Sequence, residues 1–182
     1  MSTSSAPVGV PGIPDAAHLA AQQLRRSLGA FPTGVCLVTT CGLQGKREGM
    51  TVNSFASLSL DPPLVLWSLR TSARSAASFL SAPHFVVSVL SMHQKELALS
   101  FARPAADKFE PWESLFEAGI GGVPRLKHSA ATFECSLHSS HVEGDHTIIV
   151  GRVLRFESAS APPLVFHSGR MGSIGELAAS MG

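Results

Sequence analysis

Apolar and polar residues alternate along most of this chain, and the alternation predicts a series of short strands. Residues 35–41 (VCLVTTC) form the first, followed by a glycine-containing turn over 42–49. A longer strand is expected over 50–60. Asp61-Pro62-Pro63 ends it, because two prolines cannot continue a ladder. Further strands are expected over 64–69 and 84–90. Residues 131–142 and 146–157 read as a long antiparallel pair around the turn signal Glu143-Gly144-Asp145. A short strand over 164–167 completes the set.

Helical spacing is confined to short pieces. Asp15 is placed to cap a helix over 16–28, where Leu24 and Leu28 lie one turn apart and Gly29 is the stop. A second helix is expected over 75–82, halted by Pro83. A third, over 92–102, follows the capping-box pattern Ser91-x-x-Gln94 and has Leu97 and Phe101 on its inner face. Residues 107–117 suggest one or two more turns, and the glycine-rich stretch 118–130 reads as loop. Residues 1–14 read as a disordered tail, 15–176 as one domain and 177–182 as a C-terminal tail. About seven strands with hairpin turns predict a mainly β, antiparallel barrel with short flanking helices. No GxGxxG follows a strand, which disfavours a dinucleotide-binding α/β domain.

Composition narrows the function classes. Hydrophobic residues make up 45% of the 182 and charged residues 15%, against about 25% charged in an ordinary soluble domain. That shortage of charge predicts apolar surface buried elsewhere, most simply in a homo-oligomer interface. The net charge is +1 with no basic run, which argues against nucleic acid. No apolar run approaches the roughly 20 residues that span a bilayer, and no secretory pattern is visible, so a cytoplasmic location is expected. Cys36, Cys41 and Cys135 form no CxxC pair and are odd in number, which argues against a disulfide framework. There is no tyrosine, so no step can use one.

The candidate chemistry lies at four places. On a continuous strand, Thr51, Asn53, Phe55, Ser57 and Ser59 would share one face, and Val52, Ser54, Ala56, Leu58 and Leu60 the other. The first face suits a hydrogen-bonding heterocycle, and equally an ordinary solvated strand. At 68–75 a strand gives way to a helix start with Thr71 or Ser72 as cap. Arg74 in its first turn is badly placed for the helix dipole unless an anion sits there. Arg103 and Lys108 flank a loop beside Phe101 and Phe109, which allows a phosphate clamp or a solvated loop. His146 follows a hairpin turn, at a mouth rather than in a core, where it would meet a ligand or solvent. His138 and His141 are three apart on one strand and point to opposite faces, so they do not form a metal site.

Taken together, FPTGVCLVTT (31–40), GMTVNSFASLSLDPPLVLWSL (49–69), SARS (72–75), HFVVSVL (84–90), FARPAADKF (101–109), GDHTIIVGRV (144–153) and PLVFHSGRMG (163–172) closely resemble the flavin reductase-like family of FMN-binding split barrels. The resemblance runs from about residue 22 to 172. It implies a six- to seven-stranded Greek-key split β-barrel, a homodimer, and an NAD(P)H:flavin oxidoreductase serving a flavin-dependent monooxygenase. The flavin would be FMN or FAD, and the reductant NADH, with NADPH possible. Carried over, Thr51, Val52, Asn53, Ser54, Phe55, Ser57 and Leu58 would meet the ring and its ribityl chain. Ser72, Arg74, Ser75 and Arg103 would hold phosphate, Lys108 and Phe109 would close the site, and His146 would position the nicotinamide. Ala73 stands where the family often has serine, and Met171 where an aromatic is common. A flavin-loaded electron carrier and a non-catalytic small-ligand barrel remain alternatives.

Overall fold

The structure, a computed structural model, describes residues 16–42 and 45–179. Helix α1 (Ala16–Gly29) comes first, followed by β1 (Thr33–Gly34), β2 (Cys36–Cys41), β3 (Arg47–Val52), β4 (Ala56–Leu60) and β5 (Pro63–Arg70). Then come α2 (Ala76–Ser81), β6 (His84–Val89), a 3-10 turn (Met92–Gln94), α3 (Lys95–Phe101) and a second 3-10 turn (Glu110–Leu115). The chain continues through β7 (Phe116–Ala118), a third 3-10 turn (Ile120–Gly122), β8 (Pro124–Leu126), β9 (Ala131–Glu143), β10 (His146–Ser158), β11 (Val165–His167), β12 (Arg170–Gly172) and α4 (Ile174–Ala179). The tail at 1–14 and the Asp15 cap lie outside the described residues, and α4 crosses the boundary drawn at 176.

Two expectations need correction. The long strand over 50–60 is two strands, broken at Asn53-Ser54-Phe55. The stretch 118–130 is not all loop, since β8 pairs with β7 from Phe116↔Leu126 to Ala118↔Pro124. Proline at 124 enters this two-stranded ladder at its end.

The main sheet is antiparallel and runs β3-β2-β6-β9-β10-β5-β4. The break at 53–55 therefore joins the two outermost strands. Val52 and Ala56 are four residues apart, a span of at most about 14 Å. Seven strands laid flat would separate those edges by about 29 Å. The sheet is thus strongly curled, and its concave side is filled by one cluster that mixes Val52 of β3 with Val65, Trp67 and Leu69 of β5. Strand β2 is buried on both faces. Cys36 and Val38 join the concave cluster, while Leu37 points to a second cluster with Leu97, Ala98 and Phe101 of α3. This two-sided burial explains the nearly continuous apolar run at 35–38. The buried hydroxyls of Thr39 and Thr40 donate to the carbonyls of Pro124 and His84.

Strand β10 shifts register between Val150 and Gly151. A Cβ at Gly151 would overlap the ring of the buried Phe85 and lie 3.1 Å from Cβ of Cys135. Gly151→Ala is expected to lower stability by about 1–3 kcal/mol through overpacking, read as a drop in the urea midpoint. An unchanged midpoint would mean that Phe85 has room to move.

Helix α1 has the predicted extent but no inner face. Its described side chains from 19 to 28 are all exposed, with Leu24 at 60% and Leu28 at 65%. The following Phe31 is 74% exposed.

Candidate functional site

Because the sheet curls, the start of β3 faces the turn after β5. A cleft of about 810 Å³ opens there, lined by Lys46 to Thr51, by Arg70 and Ser72 to Ser75, and by Phe101 to Phe109. A second cavity of about 570 Å³ is lined by Arg125, Glu134 and Glu157 among others. Its Arg125 is already paired with Glu117, Glu134 and Glu157. With Arg155 its lining has two cations against two carboxylates, whereas the first cleft has a surplus of positive charge.

The cleft carries six cationic side chains, and three of them are engaged. Lys46 pairs with Glu48 at 2.6 Å. Arg47 donates to both oxygens of Glu113 at 2.8 Å and lies 4.8 Å from the centroid of the Phe109 ring. Lys108 donates to the carbonyls of Gly49 at 3.1 Å and Phe101 at 2.9 Å. Burial pushes its pKa down, against the pull of Glu48. The side chains of Arg70, Arg74 and Arg103 form no ion pair or hydrogen bond among the described residues, and all three residues are exposed. Three guanidinium groups whose N–H donors are unused around one cleft, with the Ser72 and Ser75 hydroxyls, make a donor set suited to phosphate, although the Arg70 charge also acts on Asp145.

The structure gathers half of the residues singled out from the sequence. Thr51, Ser72, Arg74, Ser75, Arg103, Lys108 and Phe109 line the cleft. The cap differs from expectation: α2 starts after Ser75, and Thr71 and Ser72 lie in the preceding turn. Lys108 ties the 103–108 loop to β3 through the Gly49 carbonyl and to the end of α3 through the Phe101 carbonyl. Phe109 is a buried part of the outer cluster, edge-on to Phe101 at 5.1 Å and Phe116 at 5.0 Å, and so forms floor rather than lid. The Thr51 hydroxyl donates to the Ala98 carbonyl at 2.7 Å.

The other half do not line it. Val52 packs in the concave core, which removes its side chain from any ligand. Asn53 is exposed at the break. Ser54 Oγ accepts the Ser68 N–H at 2.9 Å, and Phe55 packs 5.5 Å from Phe133. Ser57 and Leu58 lie exposed on β4, an outer strand with a register shift between Ser57 and Ser59. The proposed common face of 51–59 does not exist, because the break interrupts the alternation.

His146 stands just beside the cleft. It is the ladder partner of Arg70 across β10 and β5, so the two side chains rise from the same sheet face with Cβ atoms about 5 Å apart. Its Nδ1 is 2.7 Å from Oδ1 of Asp145, and this contact holds the Asp145 carboxyl below the usual range. The Asp145 carbonyl accepts both the N–H of Thr71 at 3.0 Å and its hydroxyl at 2.9 Å. The hairpin tip is thereby pinned to the turn that carries Ser72 and Arg74. Arg70 and Arg47 were not anticipated from the sequence. Nothing local marks Arg70, whose importance comes from its pairing partner 76 positions away in the chain.

The model for the family described as "Flavin reductase like domain" matches residues 28–175. The chain is 46% identical to FMN reductase (NADH) SmoA of Agrobacterium fabrum over 83% of this chain and 84% of that protein. It is 36% identical to the reductase component of the flavin-dependent trigonelline monooxygenase of Acinetobacter baylyi, over 81% of this chain but only 47% of that protein's length. Among solved structures it is similar to the NADH:FAD oxidoreductase SgcE6 of Streptomyces globisporus in complex with NAD and FAD fragments. That match has a TM-score of 0.76 and 36% identity, and covers 83% of this chain and 90% of that one.

Proposed function

The chain belongs to the flavin reductase-like family, and from that premise we propose that it is an NADH-dependent flavin reductase delivering reduced FMN or FAD to a partner monooxygenase. The observation that carries this reading is the cleft with three arginines whose side-chain donors are unused, beside the fixed His146. When bound, flavin and nicotinamide supply the hydride chemistry themselves. Arg74 and Arg103, with Ser72 and Ser75, hold the flavin phosphate. The backbone at Thr51 to Phe55 and the Asn53 side chain, with Ser57 and Leu58 of β4, meet the ring and ribityl chain. Asp145 fixes the tilt of His146, which positions the nicotinamide. Lys108 keeps the Arg103 loop against β3. The work of the chain is to hold two rings together and exclude water, and no side chain acts as acid, base or nucleophile.

The curled sheet closes as a split barrel in this reading, and the protein works as a homodimer. Support comes from the uncovered apolar residues Leu24, Leu28 and Phe31 around α1 and Leu58 and Leu60 on the outer strand β4. The three unpaired thiols suit the cytoplasm. The partner is a monooxygenase, by analogy with the trigonelline system.

The test is simple. The purified protein is mixed with NADH and excess FMN or FAD in air, and absorbance at the NADH band is followed. NADH loss that scales with added flavin is expected. Bound flavin without turnover would make it an electron carrier. Neither binding nor turnover would leave only a barrel for another ligand.

A further inference from the structure

We propose that Arg70 binds the pyrophosphate of the pyridine dinucleotide, separately from the arginines that hold the flavin phosphate. The inference rests on the reductase reading above and adds a residue to it. Arg70 ends β5, where the inward positions Val65, Trp67 and Leu69 are buried and the alternate positions face the other side. Its cation lines the cleft without an ion pair or hydrogen bond among the described residues. Its charge acts on Asp145, but that carboxyl is hydrogen-bonded to His146 at 2.7 Å and forms no ion pair with Arg70, which keeps its donors for an outside anion.

Position separates it from the other two cations. Arg74 belongs to the turn before α2, and Arg103 to the loop after α3. Arg70 alone shares a ladder position and a sheet face with His146. In a pyridine dinucleotide the nicotinamide and the pyrophosphate are separated by one ribose. A ring held by His146 therefore places its pyrophosphate a side-chain length away, within reach of a flexible arginine.

Arg70 is exposed and its side chain forms no ion pair or hydrogen bond among the described residues, so Arg70→Ala and Arg70→Lys should fold as the parent does. Two measurements on the full chain test the assignment: KM for NADH at saturating flavin, and the dissociation constants of ADP-ribose and of flavin, each by calorimetry. Arg70→Ala should raise KM and weaken ADP-ribose by about tenfold, the loss of one charge-assisted contact. Flavin affinity should stay within about twofold, and Arg70→Lys should recover part of the loss. If the parent turns over NADH but Arg70→Ala leaves KM and ADP-ribose binding unchanged, the assignment is wrong and the reductase reading stands. If flavin affinity falls instead, Arg70 belongs to the flavin phosphate and the assignment is equally wrong. If the parent shows no NADH turnover, the reductase reading itself fails.

Discussion

Raised above pH 9, the protein is expected to lose stability steeply, by about 5 kcal/mol at pH 11. Two buried thiols are responsible. Burial pushes Cys36 up to about 12, and burial together with the charge of Glu134 pushes Cys135 up to about 12, both from 9.0. In the unfolded chain these thiols ionise near 9.0, while the folded chain keeps them protonated. Their contribution is therefore complete below pH 9, falls as pH rises, and is fully lost only above about 12. Each thiol removes about 1.4 kcal/mol per pH unit within that window, which for the pair soon rivals a typical total of about 5–15 kcal/mol. Lys108 works in the opposite sense, because its lowered pKa makes the folded state release a proton earlier than the unfolded one. It is one group against three, because burial also raises the Cys41 thiol against the pull of Arg47. The chain contains no tyrosine, so the phenol ionisation that complicates most alkaline transitions is absent. Urea unfolding at pH 8, 9, 10 and 11 under reducing conditions measures the limb. A Cys36→Ala, Cys135→Ala double variant should flatten it, and a parent profile that is already flat would refute the account.

Trp67→Ala should cost about 3–5 kcal/mol. Trp67 is fully buried in the concave cluster, edge-on to Phe79 at 5.1 Å and 6.0 Å from Phe85. No backbone shift can refill an indole's volume inside a sheet curled around it. Trp67→Phe should cost much less. The indole N–H is buried with no hydrogen-bond partner, so replacing it removes an uncompensated donor along with the lost contacts. Denaturant titration of the two variants gives the comparison, with Trp112 left as the fluorescent reporter. Equal losses in the two would show that the N–H is satisfied after all, and a loss under 1 kcal/mol for Trp67→Ala would contradict the packing.

Much of the architecture was legible because it is locally encoded. The Glu143-Gly144-Asp145 signal gives the β9–β10 turn, with Gly144 at a φ of +60°. The Ser91/Gln94 box is present, with the Gln94 side chain accepting the Ser91 N–H at 3.0 Å. Leu97 and Phe101 are buried as their spacing requires. The break at Asn53-Ser54-Phe55 was not legible, since a run of β-compatible residues continues across it. It arises because Ser54 Oγ is held by the backbone of Ser68, a residue of β5. The same limit applies to the site. Arg74 and Arg103 could be nominated from their neighbours in the chain, but which cations stay uncompensated depends on distant partners such as Glu113 for Arg47. For Lys108, sequence context suggested a ligand, whereas folding turned its charge toward two backbone carbonyls.

The strand order also sets how the chain can reach its native state. Hairpins β2–β3, β4–β5 and β9–β10 join neighbours in sequence and can zip on a microsecond scale. None of them carries the curled sheet alone. Strand β6 must find both β2, as in Cys36↔Val89, and β9, as in His84↔Ser136, and β10 must find β5, as in Arg152↔Leu64. These ladders join distant parts of the chain, so loop-closure entropy opposes each of them before packing rewards it. The curl adds a further demand: Val52 and Trp67 reach their common cluster only when every intervening strand is in register. Folding should therefore be slow for this length and show its main barrier at the docking of preformed hairpins, with the cleft appearing only in the last step.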